Sequence, residues 1–129
     1  MSSAAPSTPA PQVVFTEIPA ADPARARAFY EMLLGTELVE DTTGENPVWL
    51  FPPAENGGPA GHLYPGKPAL DGNGMTAHFA VGDDLTSAME RVKRGGGEVL
   101  SDIIEIYAGT FFYAKDSEGN SLGLFKYKS

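Results

Sequence analysis

Short apolar runs and stretches of helical spacing follow one another along this chain in an order that occurs twice. Val13-Val14-Phe15-Thr16-Glu17-Ile18 predicts a strand. Asp22-Pro23 then opens a helix whose narrow apolar stripe is Ala24, Ala26, Ala28, Phe29, Met32 and Leu33. An Asp carboxylate accepts from the free N–H groups of a first helical turn, and Pro suits the first helical position. Gly35 stops the helix, and Thr36-Glu37-Leu38-Val39 leads back into extended chain. The second round begins with the strand Thr76-Ala77-His78-Phe79-Ala80-Val81. Asp83 or Asp84 caps a helix with Leu85, Ala88, Met89 and Val92 at helical spacing. Lys93 and Arg94 lie in its last turn, where cations suit the dipole, and Gly95-Gly96-Gly97 ends it before Glu98-Val99-Leu100.

An offset of 61 residues superposes the two first strands, so the chain reads as a duplicated supersecondary unit, about residues 13–66 and 75–128. Val48-Trp49-Leu50-Phe51 and Gly61-His62-Leu63-Tyr64 predict further short strands between Gly- and Pro-rich loops. Residues 103–106 are ambiguous, 109–115 predict a strand, Asp116 to Asn120 a turn, and 121–128 the last strand. Strands and helices in this order predict an α+β fold with the helices outside a curved sheet.

Composition narrows the picture. The 129 residues suit one domain with a real core, here 13–129, behind an Ala/Pro/Ser-rich tail from Met1 to Gln12 that is expected to be flexible. The tail has neither the basic nor the apolar region of a signal peptide, and no run approaches transmembrane length. With no Cys, thiolate catalysis and Cys-ligated metals are excluded, and a cytoplasmic location is the default expectation. A net charge of −8 argues against nucleic acid or an anionic membrane as partner and is compatible with a cationic ligand. Gly57-Gly58 and Gly72-Asn73-Gly74 lack the strand-to-helix setting of a phosphate loop. Arg25, Arg27, Arg91, Lys93 and Arg94 read as solvated helix faces.

Three stretches carry a family resemblance. Ile18-Pro19-Ala20-Ala21-Asp22 leads to Ala28-Phe29-Tyr30 and Leu33-Leu34-Gly35; Phe79-Ala80-Val81 leads to Asp84-Leu85 and Gly96-Gly97; Asp116-Ser117-Glu118-Gly119-Asn120 precedes an apolar strand. In these the chain resembles the vicinal oxygen chelate superfamily of glyoxalase I, bleomycin-resistance proteins and extradiol dioxygenases. The resemblance implies two βαβββ units whose mostly antiparallel sheets curl around a cavity, with the helices outside. It also implies a homodimer, because open sheet edges seek a partner. In the family's metalloenzymes a His on the first strand of a unit and a Glu on its last strand bind a divalent ion. Here the implied positions hold Phe15, Thr76 and Gly123, with the fourth near His62. A divalent ion needs three or four N/O donors, so no metal and no cofactor is expected.

Alternation along the strands puts Glu17 on the face of Phe15, and His78 on the face of Thr76. Glu17 and His78 are repeat-related and are expected to meet, either as a structural pair or as ligand contacts. Phe15, Thr76, Trp49, His62 and Tyr113 complete the candidate ligand-binding set. The aromatics are core residues or walls of a pocket that stacks on a planar or cationic ligand. The expected function is metal-free binding of a small organic molecule. The alternative is a divergent lyase, isomerase or dioxygenase using Glu17, His62 and His78, with or without a metal.

Overall fold

In the computed structural model, which describes residues 15–53, 60–69 and 73–128, each unit builds an open mixed sheet and one helix. The tail, Val13, Val14, Gly57-Gly58 and Gly72 lie outside the described residues. The first unit runs β1 (Thr16–Ala20), α1 (Pro23–Leu34), β2 (Val39–Asp41), β3 (Val48–Leu50) and β4 (Gly61–Pro65), in spatial order β1-β4-β3-β2. The second runs β5 (Ala77–Ala80), α2 (Leu85–Arg94), β6 (Glu98–Val99), β7 (Ile104–Ile106), β8 (Gly109–Lys115) and β9 (Ser121–Tyr127), in order β5-β9-β8-β6, with β7 also on β8. First and last strands of each unit pair in parallel, β1 with β4 and β5 with β9; the other ladders are antiparallel.

The caps form as their chemistry dictates. Asp22 and Asp84 accept from the backbone N–H groups of Arg25 and Ser87 at the two helix starts. Gly35 ends α1 at φ 70°, a left-handed conformation that a Cβ disfavours. Of the side chains read as solvated, Arg25 is 56% exposed and Arg91 23%, and both are anchored by ion pairs. Arg25 forms a two-point pair with Glu118, and Arg91 grips both Asp83 oxygens and the Leu33 carbonyl. A guanidinium fork with two fixed acceptors outcompetes water because its geometry is preset.

The core lies between helices and sheets. Ile18 and Ala20 of β1, Leu63 of β4, Phe112 and Ala114 of β8, and Leu122 and Leu124 of β9 face Phe29, Tyr30 and Leu33 of α1 and Ala88 and Val92 of α2. Each large side chain fully buried here contributes roughly 1.5–3 kcal/mol. Tyr30, Phe51 and Phe79 meet with ring centres 5.2–5.5 Å apart, joining the two units at their seam.

A buried polar latch reinforces the seam. Asp116, 3% exposed, accepts from the Tyr30 hydroxyl at 2.6 Å, from the backbone N–H groups of Glu118 and Asn120, and from the Asn120 side chain. Asn120 also donates to the Pro19 carbonyl, and Glu118 accepts from the Asp22 backbone as well as from Arg25. The turn of the second unit is thereby tied to the β1–α1 junction of the first.

Candidate functional site

Strand alternation sorts the side chains onto two faces. In β1, Ile18 and Ala20 enter the core and Glu17 projects from the open face, the one the helices do not cover. In β4, Leu63 is buried while His62 and Tyr64 take the other face. The parallel register sets Glu17 beside His62, and His62 Nε2 donates to Glu17 Oε1 at 3.1 Å. The His62 side chain is 14% exposed, with Phe15 edge-on at 5.1 Å, while Glu17 is 64% exposed. An ionised carboxylate only accepts, so this contact puts a proton on Nε2 and directs one carboxylate oxygen at the ring.

The second unit repeats the register with different chemistry. The offset of 61 carries Glu17 to His78 and His62 to Gly123, and β5–β9 pairing sets those two side by side. A Cβ on Gly123 would lie 2.3 Å from His78 Cε1 and Nδ1, so the ring occupies the space a side chain would take. Phe111, Tyr113 and Phe125 surround the ring at 5.3, 5.9 and 6.2 Å. Phe111 and Phe125 stack nearly parallel at 6.0 Å, and Tyr127 contacts Phe125 at 5.0 Å.

Glu17 and His78 both stand on the open face, as the strand period requires, but Glu17 pairs with His62 and not with His78. The correction has a plain cause: β4, not β5, is the hydrogen-bonded neighbour of β1. Trp49 stands apart from the rest. It faces α1, lining a surface hollow with Arg27, Ala28 and Glu31, because its β-partner Leu63 belongs to the core face. Phe51, on the same side, is buried at the seam. Tyr113 lies on the open face, 38% exposed.

Two of the hollows among the described residues concern that face. One, at the seam, holds about 440 Å³; its walls include Phe15, Glu17, Pro19, Met75, Thr76, Asn120 and Ser121. Glu17 is the one charged residue among the described residues lining it. The Thr76 and Ser121 hydroxyls bond to each other at its wall. The second, about 370 Å³, is bounded by His78, Ala80, Ile106, Phe111, Phe125 and Tyr127. Thr76 and His78 are two residues apart, about 7 Å along a strand, so the hollows are neighbours.

The donors present do not fit the divalent ion that the resemblance implies. Phe15 and Gly123 have no donor atom, the Thr76 hydroxyl is a weak neutral ligand, and His62 Nε2 is held by Glu17. Among the described residues, no three His, Cys, Asp or Glu side chains gather so as to hold a metal ion. Nor is any helix among them long and apolar enough to cross a membrane.

Sequence reasoning passed over Phe125, Tyr127, Ser121, Met75 and Ile106. The alternation Ser121, Gly123, Phe125, Tyr127 held the signal for β9: every second residue of that strand meets the open face.

The sequence model of the Glyoxalase/Bleomycin resistance protein/Dioxygenase superfamily matches residues 12–124. No curated protein matches the chain in sequence. Among solved structures, the fold is similar to that of a glyoxalase/bleomycin resistance protein from Albidiferax ferrireducens T118, with a TM-score of 0.64 and 20% identity over 87% of this chain and 96% of that one. A glyoxalase-related enzyme from Fulvimarina pelagi gives 0.63 and 16% identity over 91% and 88%. A hypothetical protein from S. aureus gives 0.65 and 14% identity over 89% and 93%.

Proposed function

The chain belongs to the glyoxalase/bleomycin resistance protein/dioxygenase superfamily, and from that membership together with the donors of its open face we propose a metal-free protein that binds a small organic molecule. The observation that carries this reading is His78 lying over Gly123. The place implied for a metal-binding carboxylate is filled by an imidazole walled with aromatic rings. Such a face offers ring stacking and one hydrogen-bonding edge, which suits a planar ligand with a polar group. The proposed ligand contacts are Phe15, Glu17, His62, Thr76, His78 and Tyr113.

Among the described residues both sheets end in unpaired strand edges, and exposed Ile106, Tyr107 and Tyr127 border the second hollow's side of the molecule. A homodimer that covers this side is part of the proposal, and light scattering at micromolar concentration reads it: a 13.6 kDa species alone contradicts it.

The test of the main reading is a thermal-shift screen with divalent metals and a library of ring-bearing metabolites and antibiotics, alongside metal analysis of the purified protein. A ligand that binds only the folded state raises the melting point by mass action. The expected result is stabilisation by organic compounds and none by Zn, Ni, Mn or Fe. Stoichiometric metal in the purified protein overturns the metal-free reading. The Glu17–His62 contact favours a second reading, a metal-independent isomerase or lyase with Glu17 as base; turnover lost in Glu17→Gln would carry it.

A further inference from the structure

The seam hollow has a chemistry of its own. Its walls include Phe15, Pro19 and Met75, its neutral polar groups include the Thr76 and Ser121 hydroxyls, and among the described residues its single charge is the Glu17 carboxylate. His62 binds one carboxylate oxygen, Oε1, and so fixes the group's direction while Oε2 makes no hydrogen bond among the described residues. Met75 is 96% exposed at the lip. Among the described residues no Lys or Arg lines the hollow, and the whole chain carries −8. An anion entering here meets a like charge, with no Lys or Arg among the described lining residues beside it. A cation meets an oriented carboxylate, an aromatic ring and a polarisable thioether.

We infer that the seam hollow holds the ammonium group of an organic cation, which takes up Glu17 Oε2. The inference rests on the small-molecule reading above and deepens it by naming the ligand class. Phe15 provides a ring for the cation's attached carbons, and the Thr76–Ser121 hydroxyl pair provides a second hydrogen-bonding point. The body of the ligand extends along β5 toward His78 and its rings, about 7 Å away. Glu17 is largely exposed, so its charge contributes modestly, as for ion pairs open to water.

The experiment is an amide and methyl NMR titration of the full chain with 2-phenylethylammonium, beside its neutral isostere 2-phenylethanol and the anion 3-phenylpropionate. The ammonium compound should bind most tightly and shift Glu17, Thr76, Ser121 and the Met75 methyl. Glu17→Gln should weaken it about threefold to tenfold and leave the alcohol unchanged. Met75→Lys, at a position too exposed to disturb folding, sets a competing cation at the lip and should weaken it too. Equal binding of the alcohol, or no effect of Glu17→Gln in a variant whose spectrum is otherwise native, overturns the inference. Shifts confined to His78, Phe111 and Phe125 overturn the organic cation but leave the small-molecule reading standing. If neither these compounds nor any member of the thermal-shift library binds, both readings fall.

Discussion

His78 lies flat against the backbone of Gly123, with Cε1 and Nδ1 each 2.3 Å from where a Cβ at 123 would stand. Gly123→Ala must therefore displace the imidazole. The ring is on the exposed face and has room to swing, so the stability change should be small, at most about 1 kcal/mol by denaturant unfolding. Ligand affinity on the aromatic face should fall by more than that stability change, because His78 leaves the place where Phe111 and Phe125 hold it. Unchanged affinity would remove His78 from the site.

The same position shows why restoring one ligand does not restore a metal site. Gly123→Glu would bring a carboxylate, but Phe15 and Thr76 would still offer no strong donor. Zinc should not raise the melting temperature of this variant.

Tyr30 and Asp116 test the seam. Tyr30→Phe removes one of four donors to Asp116 and should cost about 1–2 kcal/mol in urea unfolding. Asp116→Ala strands all four donors, the Tyr30 hydroxyl in a buried place and the others partly buried, and should cost about 3 kcal/mol or more. Equal effects of the two changes would show that the turn holds its shape without its aspartate.

Acid and alkali should each loosen this seam, for opposite reasons. Burial alone would raise the Glu118 carboxyl, but hydrogen bonds from Arg25, the Asp22 backbone and Ser117 outweigh it, and its pKa lies below the ordinary value. A depressed carboxyl contributes stability in full above its unfolded pKa of about 4.3, and loses it as pH falls through the lower folded value. Asp83, held by Arg91, acts in the same direction. Burial, then the Asp116 charge, raises the Tyr30 phenol well above its usual value. That contribution is complete below about pH 10, where the unfolded phenol ionises, and is lost above it. Unfolding midpoints measured across pH should fall below about pH 4.5. Glu118→Gln should flatten the acid limb, and Tyr30→Phe the alkaline one.

Much of the fold was legible because local chemistry and periodicity agree with it. Asp22-Pro23, Gly35 and Asp84 mark helix ends by mechanisms confined to a few residues. The offset of 61 made residues 17 and 78 equivalent, and the strand registers extend it to 62 and 123, a pairing that the loops around His62 kept out of the sequence reading. What it did not contain was adjacency between the units: repeat symmetry says that Glu17 and His78 are alike, not that they touch. The partner of Glu17 depended on β1 pairing with β4, a contact 45 residues apart in sequence. The ambiguous stretch at 103–106 contains a short strand, Ile104–Ile106, held on β8 by three register pairs, so little periodicity was there to read. Trp49 was misplaced for a related reason. A three-residue strand shows alternation but not which face meets the core.

Trp49 supplies the last prediction. It is the chain's one tryptophan, and its indole Nε1 is buried without a hydrogen-bond partner among the described residues. An unpaired buried donor costs about 1–3 kcal/mol, whereas the smaller ring of Phe loses only part of the packing against α1. The two terms oppose each other, so Trp49→Phe should lie within about 1 kcal/mol of the parent in urea unfolding. Because Trp49 faces the helix and not the open face, the change should leave ligand affinity where it was. Calorimetric titration of the variant decides the point: an affinity loss without a matching stability loss would place Trp49 in the ligand site and move that site to the helix side of the sheet.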